Sequence, residues 1–70
     1  MSADKLVYMA NQIGKFFAHK PSDVAVAAIV DHLLKFWDPR MRAEICRSLD
    51  SIGDHMLPNV RRAVENLRDG

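Results

Sequence analysis

"LLKFWDPRMR", Leu33–Arg42, holds the only Trp of the chain and an Asp-Pro step that decides where one helix stops and the next begins. Proline at position 39 disfavours helical geometry at Asp38, so a helix arriving through Leu33 must stop by Trp37. Asp38 is a natural N-cap, and Pro39 a natural first residue of the following helix. The connection is then only a residue or two long, and the corner is tight. Two features are left over. Trp37 sits at the end of an apolar helix, where it is either a core plug or a contact with another chain. Arg42 has a wheel position beside Ile45 and Leu49, on the edge of an apolar stripe, where an arginine either snorkels or meets a carboxylate. Trp and Arg are also the residue types enriched at interface hot spots.

Outward from this corner, Pro21, Pro39 and Pro58 each stand where a helix can begin. Four helices are predicted, at about 4–18, 22–37, 39–51 and 58–68, giving an all-α, compact small domain of four short helices over residues 1–70. In the first, Leu6, Met9, Ala10, Ile13, Phe16 and Phe17 recur at helical spacing. Tyr8, Lys15 and His19 fall on the other side, and Asn11 and Gln12 lie at the two edges of the stripe. Gly14 costs a helix up to about 1 kcal/mol relative to Ala. It either permits close approach of a neighbouring backbone or is a tolerated surface glycine. In the second, Ser22 or its neighbours supply the cap, and only Asp31, His32 and Lys35 make a continuous polar arc. A helix apolar nearly all round is buried nearly all round. This one is either the central post of the domain or partly covered by another protein. In the third, Met41, Ile45, Leu49 and Ile52 form the apolar stripe, and Gly53 reads as the stop. Leu57, Val60, Ala63, Val64 and Leu67 form that of the fourth.

Composition narrows the function classes. The chain has 70 residues, a formal charge of +1 and 49% apolar residues. The apolar content argues against disorder, and the balanced charge against a nucleic-acid or acidic-membrane partner. "MSADKLVYMANQIG" has no long apolar run, so neither a secretion signal nor a membrane span is expected. Cys46 is the only cysteine. No internal disulfide can form, which fits a reducing cytoplasm. A chain this short buries a modest core, and oligomers or a partner chain are common remedies. A dimer or higher species of the isolated chain is a further expectation.

No catalytic constellation is legible. His19, His32 and His55 are scattered and lack the paired spacing of a structural zinc site. Cys46 has no obvious cation to lower its pKa and reads as a small apolar residue. Asp31 and His32 are helix neighbours in sequence and do not face each other. Arg61 and Arg62 make a small basic spot offset by Asp54, Glu65 and Asp69. No nucleophile–base pair, metal site or glycine-rich phosphate loop points to a stand-alone enzyme.

"MANQIGKFF" (Met9–Phe17), "HLLKFWDPRMR" (His32–Arg42) and the closing "LPNVRRAVENLR" (Leu57–Arg68) together resemble the delta subunit of NAD-dependent formate dehydrogenase. The resemblance covers roughly Lys5 to Arg68. It is weakest over Ser51–Met56, where family members carry more glycine. It implies a soluble, cytoplasmic molybdenum- or tungsten-containing complex that oxidises formate to carbon dioxide and passes the electrons to NAD. It also implies that the molybdopterin cofactor, iron–sulfur clusters, FMN and NAD sit in other subunits, with none in this chain.

Two roles follow from the resemblance. One is a non-catalytic accessory subunit that binds the larger formate dehydrogenase subunits, the catalytic one first, and supports assembly or stability. The other is a maturation factor that helps load the molybdopterin cofactor, for which Arg40, Arg42 and Arg47 are the candidate phosphate partners. The candidate partner-contact residues are Asn11, Gln12, Phe36, Trp37, Arg40 and Arg42.

Overall fold

The computed structural model describes residues 2–70. Among them the chain is all α-helical: α1 (Ala3–Phe17), α2 (Ser22–Phe36), α3 (Pro39–Arg47), α4 (Leu49–Ile52), a 3-10 turn (Gly53–His55) and α5 (Pro58–Asp69). The helices therefore number five rather than four. The difference lies in the third predicted helix, which breaks at Ser48 instead of running to Ser51. The Ser48 hydroxyl donates to the Ile45 carbonyl at 2.7 Å, and the Ser48 N–H is shared between the carbonyls of Glu44 (3.1 Å) and Ile45 (3.2 Å). Such local bonding competes with the regular helical ladder and tightens its last turn. The chain restarts at Leu49, which is buried. Gly53 follows α4 in ordinary right-handed geometry and leads into the 3-10 turn, so it is not a left-handed stop.

The helix starts follow local chemistry. Ser2 caps α1 by accepting the Lys5 N–H at 3.3 Å, and Asp38 caps α3 by accepting the Met41 N–H at 2.8 Å. Pro39 and Pro58 occupy first-turn positions where a missing N–H costs nothing. Of Ser22 and its neighbours, the residue at the cap position of α2 is Pro21. It makes no side-chain cap bond, and Ser22 is the first helical residue.

The core is one cluster in which Leu6, Ile29, Leu33, Ile45, Val60 and Val64 are the large, fully buried side chains. Each contributes about 1.5–3 kcal/mol by leaving water. The α2 helix makes its widest contact with α5 and buries Ala25, Val26, Ile29 and Leu33. Its other side is open, with Val24, Ala27 and Leu34 exposed and an Asp31–Lys35 ion pair of 2.9 Å across it. The helix is thus a post on one side and bare on the other.

The buried face of α1 is rotated from the predicted stripe. It centres on Leu6, Val7, Ala10 and Gly14, with Met9, Ile13 and Phe17 of the predicted stripe partly buried against the core, while Phe16, placed in the stripe by its spacing, is 72% exposed. The cause is Gly14, against which α5 packs. A Cβ at position 14 would lie 2.5 Å from Val60 Cγ2 and 2.8 Å from Asn59 Oδ1. Of the two roles open to this glycine, close approach is the one it has.

Candidate partner-binding surface

The Trp37–Arg42 corner closes on itself. Trp37 leaves α2 in an extended conformation with its N–H still on the Leu33 carbonyl at 3.1 Å. Its side chain is 6% exposed and belongs to the core cluster. Arg42 Nη1 donates to the Trp37 carbonyl and, at 3.4 Å, to the Leu34 carbonyl. These are end-of-helix carbonyls with no ladder partner, and a guanidinium there also complements the negative end of the helix dipole. Arg42 therefore neither snorkels nor meets a carboxylate; it caps α2 from the first turn of α3. Arg40 is exposed, on a shallow groove of about 320 Å³ lined by Leu6, Asp38, Met41, Glu44 and Arg47. Arg47 is held by Glu44 at 2.6 Å.

Asn11 is a clamp. Its amide donates to the His55 carbonyl at 2.9 Å, and its carbonyl accepts the Leu57 N–H at 2.9 Å. It thereby fixes the approach of the chain to α5. Asn59 returns the grip, donating to the Gly14 carbonyl at 3.1 Å. Asn11→Ala leaves the half-buried Leu57 N–H without its acceptor, and a loss of about 1 kcal/mol is expected in a denaturant titration. Protection of the Leu57 amide from hydrogen exchange should fall with it.

Gln12 and Phe36 border a different feature, a groove between α1 and α2 of about 340 Å³ lined by Gln12, Ile13, Phe16, Phe17 and His32. Phe16 and Phe17 meet edge to face, with centroids 5.0 Å apart and planes at 84°. His32 lies against Phe36 with centroids 4.7 Å apart. Phe16 and Phe36 are 72% and 73% exposed, so two phenyl rings face solvent on one strip. Gln12 lines this groove and Phe36 adjoins it through His32, while Trp37 and Arg42 lie at the corner and Asn11 at the α1–α5 junction. Phe16 was missed as a surface residue, whereas His32 was read as part of the polar arc of its helix but not as a wall of a groove. The available signal was spacing: Phe16 lies four and eight residues after Gln12 and Tyr8, both off the buried face.

Groups with chemical potential are committed or quiet. Cys46 is half-buried with Sγ 4.0 Å from the Val64 carbonyl. Burial pushes its thiol pKa up, against a smaller opposing pull from Arg68 and with a further upward push from Asp69. Arg61 pairs with Asp54 (3.1 Å) and Glu65 (3.9 Å), and Arg62 with Asp23 (3.2 Å). Among the described residues no group of three His, Cys, Asp or Glu is placed to hold a metal, and no helix is long and apolar enough to cross a membrane.

Fold and surface define a small all-helical chain with an aromatic strip turned outward. Its sequence matches the NADH-dependent formate dehydrogenase delta subunit FdsD over residues 5–64, and the chain belongs to that family. The match takes in Met9–Phe17 and His32–Arg42 whole, and ends inside α5. Neither curated proteins nor solved structures gave a match.

Proposed function

We propose that this chain is a non-catalytic accessory subunit of a soluble, cytoplasmic NAD-dependent formate dehydrogenase. It binds the larger subunits, the catalytic one first, and supports their assembly or stability. The molybdopterin cofactor, iron–sulfur clusters, FMN and NAD belong to those other subunits. The observation that carries this reading is the set of large apolar side chains left in water on so small a chain: Tyr8, Phe16, Val24, Leu34 and Phe36. So many large apolar side chains left exposed, with Phe16 lining the α1–α2 groove and Phe36 adjoining it through His32, favour an interaction site.

Direct handling of the pterin's phosphate in a maturation role needs cations free to meet it. Of the three candidate arginines, Arg42 is engaged by helix carbonyls and Arg47 by Glu44, which leaves Arg40 alone. That commitment favours the accessory role.

The test is to prepare the larger subunits from cells with and without this chain at matched expression. Without it, less assembled complex and less formate-dependent NAD reduction are expected. Equal yield and equal activity in both preparations would overturn the proposal.

A further inference from the structure

We draw no further inference here: the strongest candidate, the uncharged groove between α1 and α2 lined by Gln12, Ile13, Phe16, Phe17 and His32, is an unpartnered apolar face, and nothing in the structure shows what covers it.

Discussion

Trp37→Ala should bring the chain close to unfolding, with a loss of about 3–5 kcal/mol. Trp37 is 6% exposed and closes the core at the end of α2. A chain of this length has a total stability of roughly 4–10 kcal/mol, so one truncated indole removes a large part of it. The melting temperature should fall by roughly 12–40 °C, taking about 4–8 °C per kcal/mol for a chain this small. The comparison that gives the result meaning is Phe36→Ala. Phe36 is the adjacent aromatic residue and is 73% exposed, so its truncation should leave the melt nearly unchanged. Thermal unfolding followed at 222 nm checks both. A wild-type melt for Trp37→Ala would mean that the indole does not lie in the core.

Gly14→Ala should destabilise, by about 1–3 kcal/mol, and its sign carries more weight than its size. In an open helix position the same change stabilises by up to about 1 kcal/mol, because Ala is the better helix former. Here the new methyl would stand 2.5 Å from Val60 Cγ2, 2.8 Å from Asn59 Oδ1 and 3.4 Å from Leu57 Cδ1. Val60 is fully buried and has nowhere to turn, and Asn59 is held by its bond to the Gly14 carbonyl. The α1–α5 contact must open, at the price of overpacking strain in a dense interior. Urea titration reads the outcome, and a higher midpoint than wild type would show that α5 does not press on this glycine.

What the sequence made legible was mostly local. Pro39 and Asp38 set the α2–α3 corner to within a residue because capping is a short-range effect, and the all-helical class followed from apolar spacing. The misses are tertiary. Ser48 breaks α3 because its hydroxyl takes a carbonyl from the ladder, which an apolar pattern does not register. Phe16 is a hydrophobe at a plausible stripe position. Its exposure depends on Gly14, which has no side chain to mark it as the centre of a buried face. Arg42 looked like a residue in need of another chain, yet its partners are carbonyls five and eight residues back, across a corner whose geometry only the fold supplies. Asn11 was legible as unusual at a stripe edge. Its two bonds to the segment before α5 join positions far apart in sequence. The aromatic strip on α1 and α2 was half legible, through Gln12 and Phe36, and completed by Phe16 and His32.

The central claim is that this chain acts as a bound subunit of a formate dehydrogenase. Native mass spectrometry of the complex purified through a tag on a larger subunit tests it most directly. The expected result is a particle that carries this chain in a fixed ratio and still reduces NAD with formate. A fully active particle without it, with the chain recovered only in the unbound fraction, would contradict the account.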